Sequence, residues 1–138
     1  MKGIPLRLEL GPKDIEKNQC VLVRRDSGEK NFVSLDGIED TVAAMLDAIH
    51  DGLYQRARKN LEDNTYACSS LEEVKEKMQE RGGFAKTMWC GDEACELRMK
   101  EEAGVTSRCM PLEQEHLGDV CPVCGKPAKH MIYWGVAY

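Results

Sequence analysis

The first half of the fold is decided by residues 4–12, which read Ile-Pro-Leu-Arg-Leu-Glu-Leu-Gly-Pro. Apolar residues occupy every second position from residue 4 to residue 10, which is the pattern of a β-strand with one buried face. The Gly-Pro pair ends the strand, and Pro12 can open a helical turn because a missing N–H costs nothing at the first helical position. The stretch predicts a strand followed by a short helix over residues 13–17.

A hairpin and a long helix follow this opening. Residues 20–23 and 31–35 are apolar runs separated by the turn Asp26-Ser27-Gly28, so they predict a pair of adjacent strands. Asp36 is a predicted helix N-cap. Beyond it, apolar residues recur at three- and four-residue spacing over residues 38–53, which predicts a long amphipathic helix that can continue through Ala57 to Leu61.

The pattern changes between residues 62 and 70, where we place a boundary between two domains, 1–66 and 67–138. Ser70, with Glu73 three residues later, predicts the start of another helix. The remaining predicted elements are a strand at 84–89, a helix at 92–103, a strand at 105–110 and a closing strand at 131–138. The expected fold class is α/β, of the α+β kind.

Length and composition describe an ordinary globular chain. Its 138 residues suit one domain or two small ones, and 42% hydrophobic with 31% charged residues argues against disorder. No apolar run approaches the roughly 20 residues that span a bilayer, and the first residues lack the apolar stretch of a secretory signal. We therefore expect a cytoplasmic location and no membrane association.

The charge is unevenly distributed along the chain. The net charge is −5, yet residues 1–35 hold seven Lys and Arg against five Asp and Glu. If nucleic acid is a partner, this first third is the region to inspect. Charge alone does not require such a partner, because an excess of two charges is more simply explained by a solvated surface.

Four of the seven cysteines form two closely spaced pairs. Residues 90–95 read Cys-Gly-Asp-Glu-Ala-Cys, and residues 121–125 read Cys-Pro-Val-Cys-Gly. Such spacing is typical of zinc ligands, since one tight turn lets two thiolates reach one ion. We predict one structural zinc ion, whose loss would unfold residues 84–138, with the ligands Cys90, Cys95, Cys121 and Cys124. Four thiolates leave no open position for a substrate, so this zinc would not be catalytic.

Other interpretations of the cysteines stay open at this point. They could be free thiols that pack as small hydrophobic side chains. Cys121 and Cys124 could instead form a redox pair, although Gly125-Lys126-Pro127 opposes the helix that such a pair usually opens. Cys109, in a predicted strand, is expected in the core. No phosphate loop, Ser/His/Asp order or zinc-protease motif is present, so nothing in the sequence predicts an active site.

Several stretches resemble one known family. Residues 2–16 (Lys-Gly-Ile-Pro-Leu-Arg-Leu-Glu-Leu-Gly-Pro-Lys-Asp-Ile-Glu) and the following Val21–Asp26 resemble the anticodon-binding domain of prolyl-tRNA synthetases. The C-terminal part is similar to the zinc-binding extension of the archaeal/eukaryotic-type enzymes, through Trp89-Cys90-Gly91, Thr106–Pro111, the Cys-Pro-Val-Cys-Gly-Lys-Pro run and the final Val-Ala-Tyr.

The resemblance implies a partial anticodon-binding domain with a mixed sheet, followed by a small zinc-binding α+β domain. It also implies a parent class II enzyme, commonly a homodimer, that activates proline with ATP and magnesium and transfers it to the tRNA for proline. The catalytic domain of that parent lies N-terminal to this chain, so no ligase activity is expected of the chain by itself.

Site residues also follow from the resemblance. In the family, the anticodon guanines are read from positions that match Arg7, Lys13, Asp14 and Lys30. Arg7 can offer a bidentate fork to guanine, and Asp14 can accept a hydrogen bond from an unpaired guanine. The family's C-terminal tyrosine, matching Tyr138, directs its carboxylate toward the catalytic domain. Without the resemblance, each charged residue would be taken for a solvated surface group.

Two functions of other classes compete with this one, a free-standing zinc-ribbon adaptor for protein or nucleic acid and a thiol oxidoreductase. An upstream reading frame with class II catalytic motifs would exclude the adaptor. One zinc per chain, without a reversible disulfide between Cys121 and Cys124, would exclude the oxidoreductase.

Overall fold

The computed structural model describes residues 3–137. This part of the chain contains seven strands and four helices in two compact units, one up to Lys59 and one from Asn60 onward. The predicted mixture of helices and strands is confirmed, and each unit has its own sheet. None of the helices within these residues combines the length and apolar character needed to cross a bilayer.

The first unit contains a three-stranded antiparallel sheet in the order β1-β2-β3. Its elements are β1 (Leu6–Glu9), α1 (Pro12–Glu16), β2 (Gln19–Arg24), β3 (Lys30–Ser34) and most of α2 (Ile38–Asp63). The predicted strand, short helix and hairpin are confirmed, with boundaries shifted by one or two residues. The fully buried side chains of this sheet, Cys20 and Leu22, come from its central strand.

The predicted buried face of the opening strand is largely exposed. Ile4 is 59% exposed, Leu8 48% and Leu10 50%. The reason is the position of β1, which is an edge strand with β2 as its neighbour on one side only. An alternating pattern fixes which side chains share a face, but burial of that face needs a second layer.

Helix α2 begins at Ile38, so the predicted N-cap at Asp36 is wrong. Gly37, with φ of +69°, inserts one more turn residue, and its carbonyl accepts the first helical bond from the Thr41 N–H at 3.2 Å. The Asp36 carboxylate instead accepts a hydrogen bond from Asn18 Nδ2 at 2.7 Å. Of the apolar side chains of α2, Ile49 alone is buried among the described residues.

The second unit is built on a four-stranded mixed sheet in the order β4-β5-β7-β6. Its elements are β4 (Thr65–Ala67), α3 (Leu71–Glu80), β5 (Phe84–Trp89), α4 (Glu93–Ala103), β6 (Val105–Cys109) and β7 (His130–Val136). Strand β7 pairs antiparallel with both β5 and β6, whereas β4 pairs parallel with β5. The predicted strands and helices are confirmed, but β4 was not predicted.

The helix ends of this unit follow their sequence signals. Ser70 Oγ accepts the Glu73 N–H at 3.1 Å, as an N-cap should. The Glu73 carboxylate binds the N–H of Ser69 at 2.6 Å, one residue before the position that a capping box requires. Asp92 caps α4, and Gly104, with φ of +68°, ends it in the left-handed conformation.

One apolar core holds α3, α4 and the sheet together. Its buried members are Cys68, Leu71, Val74, Met78, Ala85, Met99, Val105, Ile132 and Trp134. Trp134 is 1% exposed, and its indole N–H donates to the hydroxyl of the fully buried Thr87 at 2.9 Å. A buried indole N–H needs such an acceptor, so this pair fixes β7 against β5.

Candidate functional site

Three separate elements bring the four paired cysteines together. Cys90 directly follows β5, and Cys95 lies in the first turn of α4. Cys121 and Cys124 lie on a turn whose two arms meet in a bridge between Val120 and Pro127. This turn closes through a hydrogen bond from the Gly125 N–H to the Cys121 carbonyl at 2.9 Å, with Gly125 at φ of +70°. Glycine adopts that conformation without steric cost.

The four sulfur atoms all lie within 4.8 Å of one another. Two of the separations, Cys90 to Cys95 and Cys90 to Cys124, are 3.7 Å. Ligands at about 2.3 Å from a tetrahedral ion are separated from each other by about 3.8 Å. These separations are compatible with a tetrahedral thiolate shell, and the four cysteines can hold a metal ion. Among residues 3–137, no other group of three or more His, Cys, Asp or Glu side chains has this property.

The surroundings of the cluster oppose the joint ionisation of its thiols unless a cation is bound. Burial is the largest cause that raises the pKa of Cys95 and of Cys90, and the neighbouring thiols Cys90 and Cys124 add to it for Cys95. The backbone N–H of Lys126 donates to the Cys124 sulfur and lowers its pKa to about 7. Four adjacent thiolates would repel one another, so their joint ionisation requires a positive ion that displaces the protons.

Charged side chains around the cysteines connect the two halves of the cluster. Lys126 Nζ lies 3.7 Å from the Asp92 carboxylate, which also caps α4. Arg98, on α4, donates to the Val123 carbonyl at 3.1 Å and binds Glu102 one turn later. No local pattern predicts the contacts of Lys126 with Asp92 and of Arg98 with Val123, because their partners are 34 and 25 residues apart.

The remaining cysteines lie outside the cluster. Cys20 and Cys68 are buried, as expected for small apolar side chains. The prediction that Cys109 belongs to the core is wrong, because its side chain is exposed. Strand β6 is an edge strand with a register irregularity between Ser107 and Cys109, and its burial ends after Val105.

Two of the predicted anticodon-reading residues share one face of the first sheet. Arg7 on β1 and Lys30 on β3 are both register partners of Val23 on β2. Residues directly opposite one another point to the same side of a sheet. The two cationic side chains therefore lie in one row across the sheet, and both residues are exposed. The Arg7 guanidinium is held by Glu9 at 2.6 Å.

The other two predicted residues lie on the short helix α1, and Tyr138 lies outside the described residues. Lys13 is exposed. Asp14 is half-buried, with Oδ2 accepting the Gly11 N–H at 3.0 Å and Oδ1 accepting a longer bond of 3.4 Å from Gln19. Asp14 thus stabilises the start of its own helix. It lies three residues after the N-cap Gly11, which is the spacing at which a carboxylate can accept the N-cap N–H.

Comparison with known proteins identifies related sequences along the whole chain. Residues 1–45 match the family described as anticodon-binding domain, and residues 71–138 match the family described as prolyl-tRNA synthetase, C-terminal. The chain is 59% identical to proline–tRNA ligase 2 of Bacillus thuringiensis subsp. konkukian (strain 97-27). It is 58% identical to proline–tRNA ligase 2 of Bacillus thuringiensis (strain Al Hakam) and 56% identical to proline–tRNA ligase of Clostridium novyi (strain NT).

Each of these alignments covers 100% of this chain but 29% of the relative, so the chain spans about three-tenths of the length of the curated relatives. The resemblance inferred from residues 2–16 and from the C-terminal motifs is confirmed. An anticodon-binding domain of a tRNA ligase implies a surface that binds tRNA. The chain belongs to the prolyl-tRNA synthetase family and carries sequence of its anticodon-binding and C-terminal domains.

Proposed function

We propose that this chain is the anticodon-binding and zinc-stabilised region of a proline–tRNA ligase, in which the first unit binds the anticodon and the second unit holds the zinc ion. In the parent enzyme, a catalytic domain of the same chain binds ATP and magnesium and joins proline to the tRNA for proline. Proline–tRNA ligases align with the whole length of this chain, which supports this proposal over the free-standing adaptor. We expect the parent to be a cytoplasmic homodimer.

The observation that carries the anticodon role is the row formed by Arg7, Val23 and Lys30. Adjacent strands lie about 4.8 Å apart, so the two cationic residues are separated by about 10 Å between their Cα atoms. Long side chains at that separation can contact neighbouring nucleotides at the same time. Arg7 suits a bidentate contact with a guanine edge, and Lys30 suits a base or phosphate oxygen.

The helix α1 supplies the other two proposed contacts. Lys13 is exposed and can bind a base or a phosphate. The Oδ1 atom of Asp14 has only the long bond from Gln19, so it keeps capacity to accept an N–H of an unpaired guanine. Asp14 would then serve both the helix start, through Oδ2, and the nucleotide, through Oδ1.

For the second unit, we propose a closed zinc site with a structural role. The tetrahedral sulfur spacing supports zinc, and a shell of four thiolates has no open coordination position for a substrate. The ion would join the end of β5, the start of α4 and the turn at residues 121–125.

The test replaces Arg7 in a full-length proline–tRNA ligase that carries this chain. Arg7→Ala is expected to lower kcat/KM for charging of the tRNA about 5- to 100-fold, the value of one good bidentate base contact. ATP–pyrophosphate exchange with proline, which needs no tRNA, should stay within about twofold of the unaltered enzyme. Arg81→Ala, at an exposed arginine in the second unit, is the matched control. An equal loss in both reactions would contradict the anticodon role.

A further inference from the structure

The sheet face that carries Arg7 and Lys30 also presents an exposed aromatic ring. Phe32 lies two residues after Lys30 on β3, and strand residues two apart point to the same side. Its register partner on β2 is Val21. Phe32 is 70% exposed, more than any other aromatic residue described as exposed in residues 3–137. The core of the first unit therefore does not account for this side chain.

A third cation belongs to the same face. Arg25 follows Val23 by two positions, and its backbone N–H donates to the Pro5 carbonyl at 3.0 Å, which continues the pairing of β1 with β2. A cleft of about 300 Å³ lies between the Arg7 and Arg25 side chains, with Ile4, Pro5 and Val23 as its apolar lining. The cleft provides room for a planar group beside the guanidinium of Arg7.

The charge of this face suits a polyanion. Arg7, Arg25 and Lys30 are cationic, and Glu9 is the one acidic side chain that the three strands place on this side. Glu9 lies across from Val21 and holds the Arg7 guanidinium. A single exposed apolar residue is normal on a protein surface and needs no explanation by itself. An exposed ring among three cations matches the composition of surfaces that bind single-stranded nucleic acid.

We infer that Phe32 is a stacking platform for one unpaired base of the tRNA anticodon loop, with Lys30 and Arg7 reading base edges and Arg25 contacting a phosphate. The inference rests on the proposed anticodon function and adds a residue that positions a base. Bases stack on aromatic rings irrespective of their identity, because every base has a π-face. Phe32 thus supplies affinity and orientation, while the neighbouring cations supply preference for guanine.

The experiment measures binding of the 138-residue chain to a transcript of the tRNA for proline. Phe32→Leu keeps an apolar side chain and removes the ring, and it is expected to weaken binding about 5- to 100-fold. Phe32→Tyr keeps the ring and should bind within about twofold of the unaltered chain. Tyr54→Leu, which removes a 56% exposed ring on α2, is the matched control and should also stay within about twofold.

Two further readouts separate stacking from a structural effect. The slope of log affinity against log salt should be unchanged in Phe32→Leu, whereas Arg25→Ala, which removes the phosphate contact, should reduce the slope by about one. A 2-aminopurine base placed in the anticodon loop should lose fluorescence on binding to the unaltered chain and to Phe32→Tyr. It should lose much less with Phe32→Leu, because that emission is quenched by stacking.

The outcomes distinguish this inference from the function on which it rests. If Lys30→Ala weakens binding and Phe32→Leu does not, the stacking role is overturned and the anticodon function stands. The stacking role is equally overturned if Phe32→Tyr binds as poorly as Phe32→Leu. If the unaltered chain does not bind the transcript, or if Arg7→Ala and Lys30→Ala bind as well as it does, both the proposed function and this inference fail.

Discussion

Replacing Cys124 by serine tests the proposed metal centre most directly. The Cys124 sulfur lies 3.7 Å from that of Cys90, at the spacing of two ligands on one tetrahedral ion. A serine hydroxyl does not ionise near neutral pH, so the variant offers three thiolates instead of four. We expect the purified chain to carry one zinc ion and the Cys124→Ser variant to carry almost none.

The burial of side chains in the second unit predicts which residues unfold when the zinc ion is lost. Structural zinc in a small module supplies roughly 10–16 kcal/mol of apparent binding energy. From this value alone, the sequence predicts that residues 84–138 unfold when the ion is lost. Between residues 110 and 129, however, Cys121 is the one buried side chain, whereas α3, α4, β5, β6 and β7, together with Cys68, form a core of nine buried residues. Loss of zinc should therefore bring the opening free energy of residues 111–129 close to zero and leave the core folded.

Hydrogen exchange measured by mass spectrometry, together with metal analysis, checks both parts. In Cys124→Ser, the amides of residues 111–129 should exchange almost at the unprotected rate, while residues 84–89 and 132–136 keep their protection. Cys109→Ser is the matched control, because Cys109 is exposed and outside the cluster. A Cys124→Ser chain that kept one zinc would refute the ligand assignment. Loss of protection throughout the second unit would refute the argument for local unfolding.

Two smaller predictions concern the second unit. Thr87→Val leaves the buried indole N–H of Trp134 without its acceptor and should lower the free energy of unfolding by ~1–3 kcal/mol in urea titration; Thr87→Ser keeps the hydroxyl, and an equal loss in both variants would contradict this cause. The Ser69 backbone N–H donates to the Glu73 carboxylate and holds the pKa of Glu73 below its ordinary 4.5. The stability that this bond contributes is therefore complete above pH 4.5 and is lost as the pH falls through the lowered pKa. Glu73→Gln should therefore flatten the acid side of the stability profile, and identical profiles in circular dichroism would contradict the assignment.

Elements with local signals were predictable from the sequence. The strand at residues 84–89 has the predicted bounds, and α4 has Asp92 and Gly104 at its ends, where a capping side chain and a left-handed glycine are needed. These signals depend on a few neighbouring residues, so one sequence is sufficient. The cysteine group was predictable for the same reason, since each pair lies on one short stretch.

Features that depend on distant partners were not predictable. Strand β4 has three residues and gains its identity from parallel pairing with β5, whose register joins Thr65 to Phe84. The exposure of Leu8 and of Cys109 follows from their position on edge strands, which no local pattern reveals. The proposed anticodon-binding residues were predicted only from the family resemblance. The row of Arg7, Val23 and Lys30 was not predicted, because it depends on the pairing of β1 and β3 with β2.

The partners of the cations separate the two proposed roles in physical terms. Near the cysteines, Lys126 pairs with Asp92 and Arg98 pairs with Glu102. These charges are neutralised within the fold, so a phosphate approaching the metal centre would have to break existing ion pairs. On the first sheet, Lys30 has no ion-pair partner among residues 3–137, and Arg7 has a single exposed partner on its own strand. Because binding to nucleic acid gains from cations that are free to neutralise phosphates, this contrast supports our proposal that tRNA contacts the sheet face. The same contrast supports our proposal that the metal site has a structural role, in which it would hold residues 111–129 against β5 and α4.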